Sequence, residues 1–110
     1  SVLCPESNRY ISNLCPPVKM LEELGCRIAI GTDSLASARS LSMVDNMRLL
    51  GDVPLVRLLT YATINGAKAL GLEATKGSIE IGKSPGLVIL EGVDFATMTL
   101  TDTAHTYRLL

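Results

Sequence analysis

Arg27-Ile28-Ala29-Ile30-Gly31-Thr32-Asp33-Ser34 combines a short apolar run with an acidic side chain that follows directly after it. The apolar run predicts a buried strand, and Asp33 then lies at the carboxyl end of that strand. In parallel α/β folds, and in (β/α)8 barrels especially, active sites gather at this end of the strands. The alternative is that Asp33 caps the loop or a following helix by accepting backbone N–H bonds. The spacing by itself leaves both interpretations open.

The residues before this strand predict a helix that leads into it. Pro16-Pro17 suits a first helical turn, and Gly25 suits the position just after the last turn. Met20, Leu21 and Leu24 give the helix its apolar face. A helix that runs closely into a buried strand is typical of α/β proteins with parallel strands.

Residues 1–4 form an apolar stub that Pro5 stops, as at the end of another buried strand. The polar stretch Glu6-Ser7-Asn8-Arg9 is predicted to be a loop. Beyond Asp33, the spacing of apolar residues predicts a second helix over about residues 40–50.

Two further helices are predicted next, one capped by Asp52 and one capped by Thr63. After Leu72 the pattern changes, since Ile79, Ile81 and the run at 87–90 alternate with glycines and predict short β segments. The tail from residue 98 to 110 predicts one more strand. We therefore divide the chain near residue 72 into a helix-rich part with two strands, 1–72, and a mostly β part, 73–110.

Composition excludes several classes of function. The 110 residues are 47% hydrophobic, with a mean hydropathy of +0.33, as in globular proteins. No apolar run reaches the roughly 18 to 20 residues of a membrane span. A net charge of −1 and dispersed Lys and Arg residues give no basic patch for nucleic acid. We expect no membrane or nucleic-acid partner.

The three cysteines, Cys4, Cys15 and Cys26, contain no C-x-x-C pair of the kind that zinc ribbons and redox motifs need. They predict reduced thiols in a cytoplasmic protein. The start at Ser1, without a methionine or a positively charged leader, favours a cut inside a longer chain, although removal of an initiator methionine would look the same.

Four segments in order carry a resemblance to a known family. They are Cys4-Pro5-Glu6-Ser7-Asn8, Ile30-Gly31-Thr32-Asp33-Ser34-Leu35-Ala36-Ser37, Ala62-Thr63-Ile64-Asn65-Gly66-Ala67-Lys68-Ala69-Leu70-Gly71 and Gly77-Ser78-Ile79-Glu80-Ile81-Gly82-Lys83. This set resembles the C-terminal part of the amidohydrolase superfamily, in the branch of chlorohydrolases, cytosine-deaminase-like and S-adenosylhomocysteine-deaminase-like enzymes. The resemblance extends over residues 1 to about 90.

The resemblance implies a fold and a site. Residues 1–72 correspond to the last strands and helices of a metal-dependent (β/α)8 barrel, and residues 73–110 to a β segment of the small β-sandwich domain beside it. Asp33 matches the aspartate that ends the last barrel strand, binds the metal and shuttles the proton. Ser7 and Asn8 match a loop at the mouth of the barrel and are expected to line the substrate pocket, although they are equally compatible with simple polar loop residues.

The resemblance also implies a function for the full-length protein: a hydrolase or deaminase that acts on C–N or C–Cl bonds of small heterocyclic or amide substrates. One divalent metal, zinc by expectation, would activate the attacking water. The family's other metal ligands are histidines on earlier strands, and His105, in the weakly matching tail, is not expected to replace them. We therefore expect the fragment alone to be inactive and to hold no metal.

Two expectations concern what the chain associates with. Uncovered strand edges and helix faces of a partial barrel predict self-association, hence a homo-oligomer. The alternative to an enzyme is a binding or scaffold module that keeps the family's pattern without its chemistry. A zinc nucleobase deaminase of the other architecture is a poor match, because the sequence has neither H-x-E nor P-C-x-x-C.

Overall fold

The parallel strand pair predicted from the sequence is present in the computed structural model, which describes residues 1–14, 16–37 and 40–110. The elements in chain order are β1 (Val2–Leu3), α1 (Pro5–Ser12), α2 (Val18–Glu23), β2 (Ala29–Ile30), α3 (Met43–Arg48), α4 (Leu55–Ala62), α5 (Ile64–Ala69), β3 (Val88–Asp94) and β4 (Thr99–Arg108). The described residues therefore combine helices with one parallel and one antiparallel pair of strands.

Strands β1 and β2 run parallel, with Val2 opposite Ala29 and Leu3 opposite Ile30. The backbone N–H of Gly31 donates to the carbonyl of Leu3 at 2.7 Å and extends the pairing beyond the last strand residue. Parallel strands need a long crossover connection, which α1 and α2 provide here. Both strands therefore end at the same edge, and the chain leaves that edge at residue 4 and at residue 31.

The hydrophobic core lies between this strand pair and the helices that follow it. Side chains from both strands pack with those of α3, α4 and the segments next to them. The core members are Leu3, Val18, Ile28, Ile30, Met47, Leu50, Leu55, Leu58 and Tyr61. The Asn65 amide on α5 donates to the Ile28 carbonyl at 2.7 Å and fixes that helix beside the start of β2.

Strands β3 and β4 form an antiparallel hairpin with an irregular register between Glu91 and Val93. Gly92 lies between them with a φ of +84°, and a Cβ there would be 2.6 Å from the Cα of Ala104. Only glycine fits a position with both constraints. The hairpin docks on α3, where Arg48 Nη1 donates to carbonyl oxygens of β4.

The structure confirms the strand at residues 1–4, the strand before Gly31, the helices and the final strand. The predicted loop at Glu6–Arg9 is wrong, because these residues lie within α1. Pro5 begins this helix, at a position where its missing N–H costs no hydrogen bond. The same proline thus ends the strand and starts the helix.

Other details also differ from expectation. Met20 and Leu24, assigned to the apolar face of α2, are 52% and 70% exposed, and Val18 is the buried residue of that helix. Asp52 does not cap α4, since Pro54 occupies the position before its first residue. Ile79 lies in an irregular stretch and Ile81 in a turn, not in strands, and both side chains are exposed.

Cys15, one of the cysteines predicted to be reduced, lies outside the described residues. Cys4 and Cys26 have free thiols, as expected. Among the described residues, the longest helices have eight residues, and none is long and apolar enough to cross a membrane.

Candidate active site at the carboxyl end of the parallel strands

Asp33 lies three residues beyond the end of β2, at the edge where β1 also ends. Its backbone has a φ of +58°, in the left-handed region that Asp and Asn adopt more readily than most residues. The residue is exposed, and a turn rather than a helix follows it at 35–37. Within the described residues, its carboxylate accepts a hydrogen bond from a side chain, not the backbone N–H bonds that a capping role requires.

Ser7 is the side chain that contacts Asp33. It lies on α1, is 2% exposed, and its Oγ donates to Asp33 Oδ2 at 3.0 Å. The same Oγ is 2.8 Å from the Oγ of Ser37, which is 8% exposed. The structure therefore brings one predicted site residue, Ser7, to another, Asp33, through direct contact, and adds Ser37.

Asn8, the third predicted site residue, is exposed on α1, next to the inward-facing Ser7. The structure gives Asn8 no contact with Asp33 among the described residues. Its assignment to a substrate pocket stays a prediction, as does that of Ser7.

A buried asparagine holds α1 in place. Asn46 on α3 is fully buried, and its Oδ1 accepts the backbone N–H of Glu6 at 2.9 Å. That N–H belongs to the first turn of α1, where backbone donors have no partner within the helix. Asn46 Nδ2 donates in turn to the carbonyl of Ser42 at 3.0 Å. The position of Ser7 thus depends on a contact between residues 40 positions apart.

Cys4 is the neighbour of Asp33 at the end of β1. Burial raises the pKa of its thiol, and the negative charge of Asp33 raises it further, against a smaller opposite effect of backbone hydrogen bonds from Asp33 and Gly31. Because the pKa is raised, the thiol stays protonated at neutral pH. Asp33 therefore has no second anionic group at this contact.

The described residues contain no group of three or more His, Cys, Asp or Glu side chains arranged to hold a metal ion. His105 lies on β4, exposed, with its Nε2 3.2 Å from Glu91 Oε2. A catalytic zinc needs about three protein ligands. The donor set here fits such a site only as one carboxylate ligand, Asp33, with the other ligands from outside the described residues.

The sequence predicts Asp33, Ser7 and Asn8 as site residues, a prediction that stays open, and gives no signal for the contacts that Ser37, Cys4 and Asn46 make around Asp33 and Ser7. Ser37 stands within a motif that was quoted, yet its pairing with Ser7 spans 30 positions and leaves no local pattern. Asn46 lies in the middle of a predicted helix, where a single polar residue is usually exposed.

Comparison with known proteins decides the family. The amidohydrolase family profile matches residues 1–107. The chain belongs to the amidohydrolase family.

Relatives within the amidohydrolase family include a 5-methylthioadenosine/S-adenosylhomocysteine deaminase of Moorella thermoacetica, which is 39% identical over 99 residues and matches 80% of this chain. A crystal structure of an adenosine deaminase from Xanthomonas campestris with bound zinc superposes with a TM-score of 0.72 at 35% identity, over 79% of this chain and 22% of that one. The Helicobacter pylori aminofutalosine deaminase in complex with methylthio-coformycin superposes with a TM-score of 0.64 at 34% identity, over 77% and 22% of the two chains.

The chain spans 23% of the length of the Moorella thermoacetica relative. The described elements are thus a small share of an amidohydrolase of that size.

Proposed function

We propose that this chain is the C-terminal part of a metal-dependent deaminase that removes an amino group from a small heterocyclic substrate of the aminopurine nucleoside class. The observation that carries the proposal is the Asp33 carboxylate at the shared carboxyl edge of two parallel strands, held by a buried hydroxyl. The deaminase names of the relatives favour an amino leaving group over chloride.

In this proposal Asp33 has two roles, metal ligand and proton shuttle. One divalent cation, zinc by expectation, would be held by Asp33 together with ligands from the rest of the protein, and when bound it would lower the pKa of water to about 7. A carboxylate has about four lone-pair sites, so Asp33 can accept the Ser7 bond and still serve both roles.

The reaction balances with water as the only co-reactant. The water oxygen bonds to the ring carbon that carries the amino group, and Asp33 accepts a proton from that water as general base. Asp33 then returns the proton toward the leaving nitrogen as general acid, the C–N bond breaks, and ammonia leaves. The ring carbon is left with a hydroxyl, which passes its proton to the neighbouring ring nitrogen, so that the ring carbon ends as a carbonyl.

The proposal also covers the architecture. Residues 1–72 would supply the last strands and helices of a (β/α)8 barrel, and 73–110 a β segment of a small β-sandwich domain. The parallel pair with its crossover helices supports the first part, and the β3–β4 hairpin supports the second. Since one carboxylate cannot hold a catalytic metal alone, the 110 residues by themselves would be inactive.

The remaining proposals follow from the same architecture. A small-molecule substrate enters at the mouth of the barrel, and a cytoplasmic location agrees with free thiols at Cys4 and Cys26. Self-association stays a prediction; the exposed apolar side chains near the parallel strands, among them Val2 at 60%, support it.

The test is Asp33→Asn in the complete protein. Asparagine has the same shape and tolerates the positive φ, so the backbone is preserved while the general base is lost. We expect kcat for deamination of adenosine or 5-methylthioadenosine to fall by about 10²-fold or more. The matched control is Asp52→Asn, at an exposed loop carboxylate, which should leave kcat unchanged. An Asp33→Asn variant with the wild-type rate would refute the assignment.

A further inference from the structure

Asp33 needs an external group to fix its carboxylate. The χ2 torsion of aspartate has a broad energy profile, so the plane of the carboxylate is not set by the side chain's own preference. The residue is also exposed, and its backbone occupies the sparsely populated left-handed region. A ligand and proton shuttle that is free to rotate would spend little time in the productive orientation.

Ser7 can fix the Asp33 carboxylate from a buried position, whereas a residue that contacts substrate would be open to the pocket. Its side chain is 2% exposed, so its hydroxyl faces protein rather than an open pocket. It lies on α1, which is held in turn by the fully buried Asn46. The hydroxyl is therefore fixed by a folded element and not by a mobile loop.

The Ser7 hydroxyl lies between two acceptors. Each serine hydroxyl carries one proton, and an ionised carboxylate only accepts. The Ser7 proton has Asp33 Oδ2 at 3.0 Å and Ser37 Oγ at 2.8 Å within reach, and the charged carboxylate is the stronger acceptor. The Ser37 hydroxyl donates in turn to the Ser34 carbonyl at 3.4 Å.

We propose that Ser7, oriented by Ser37, is a positioning residue that fixes the Asp33 carboxylate for metal binding and proton transfer. The Ser7 hydroxyl donates to the carboxylate and contacts Ser37 Oγ on its other side, so the Ser37 contact helps to hold the hydroxyl in place. This inference rests on the proposed function, and it assigns Ser7 an effect through Asp33 rather than through substrate contact. Removal of partners that orient a metal ligand typically lowers metal affinity or activity by about 10- to 100-fold.

The experiment compares Ser7→Ala, Ser37→Ala and Asp33→Asn in the complete protein. Ser7→Ala removes the hydroxyl without adding volume, and we expect kcat to fall by about 10- to 100-fold with KM within about threefold. Zinc should also be lost faster during dialysis against a chelator. Ser37→Ala should lower kcat less, by about two- to tenfold, because Ser7 can still donate. Ser12→Ala, at an exposed serine on the same helix, is the matched control and should change neither property.

The double variant Ser7→Ala/Asp33→Asn separates positioning from a general structural effect. If Ser7 acts through Asp33, its loss should not lower the residual rate of Asp33→Asn any further. Additive losses in the double variant, or a Ser7→Ala enzyme with wild-type kcat and zinc retention, would overturn the inference.

Failure of the inference and failure of the proposed function remain distinguishable. A wild-type rate for Asp33→Asn refutes the proposed function itself, whereas an inactive Asp33→Asn beside a fully active Ser7→Ala refutes only the positioning role. If Ser7→Ala does not fold, Ser37→Ala decides. A reduced kcat with an unchanged KM supports the positioning role of Ser7, and an unchanged kcat overturns it.

Discussion

Replacement of Asn46 by alanine should loosen the helix that carries Ser7. Asn46 Oδ1 accepts the Glu6 N–H at 2.9 Å, and this donor in the first turn of α1 has no partner within the helix. The second bond of the asparagine is less critical, since the Ser42 carbonyl also accepts the backbone N–H of Asn46 at 3.3 Å. The main loss is therefore the hydrogen bond from the part-buried backbone N–H of Glu6.

The magnitude follows from that loss. A buried donor without a partner costs about 1–3 kcal/mol. We take about 2 kcal/mol as the decrease in the free energy of local opening of α1; at 1.4 kcal/mol per factor of ten, this corresponds to about 30-fold. The effect should be concentrated in α1, because among the described residues the Asn46 side chain makes no other hydrogen bond to a distant element.

Hydrogen–deuterium exchange with mass spectrometry measures this opening in the complete protein. Peptides that cover Pro5–Ser12 should exchange about 30-fold faster in Asn46→Ala than in the wild type. Asn8→Ala, at an exposed asparagine of α1, is the control and should change exchange by about twofold at most. Exchange of α1 in Asn46→Ala no faster than in the control would refute the reasoning.

Two further predictions concern the β part of the chain. Gly92→Ala should lower the free energy of unfolding by more than Gly82→Ala. The positive φ costs either alanine about 1–2 kcal/mol, but only the Cβ at position 92 would clash with Ala104. Equal losses of the two variants in urea unfolding would contradict this. Hydrogen bonds and charge, chiefly from Lys83, lower the pKa of Glu80. The pair therefore stabilises the fold at pH values above the ordinary carboxyl pKa, and this stabilisation is lost as the pH falls through the lowered pKa. Lys83→Met should shift the Glu80 midpoint upward in a carboxyl NMR titration, and an unmoved midpoint would exclude this cause.

Features with a local cause could be predicted from the sequence. The apolar run before Gly31 and the stub before Pro5 became β2 and β1, and the pairing of their ends places Asp33 at the expected edge. The role of Asp33 itself stays a prediction. Ile79 and Ile81 show the limit of such patterns. Their stretch alternates like a strand, but with positive φ at Gly77 and Gly82 it forms irregular backbone and a turn.

Features with a tertiary cause could not be predicted. The apolar residues Tyr10 and Ile11 of helix α1 are exposed, and its buried residues are Pro5 and Ser7, so the face that packs inward is not the apolar one. Burial of Ser7 is stabilised by partners 26 and 30 positions away. Local spacing holds no information about such contacts, so the sequence predicts a loop where the structure has a helix.

The attachment of the hairpin to α3 has a consequence for how this region tolerates mutation. Arg48 Nη1 donates to the carbonyl oxygens of residues 101, 102 and 104, and an ion pair with Asp45 orients its guanidinium. Carbonyl oxygens are common to every amino acid, so the anchor recognises the path of the strand and not the identity of its side chains. The exposed positions of β4 can therefore change without loss of this anchor, whereas the buried Ala104 and the core-packed Leu100 are constrained by their own contacts. An engineer can rewrite the exposed face of β4 as long as Arg48 is left in place.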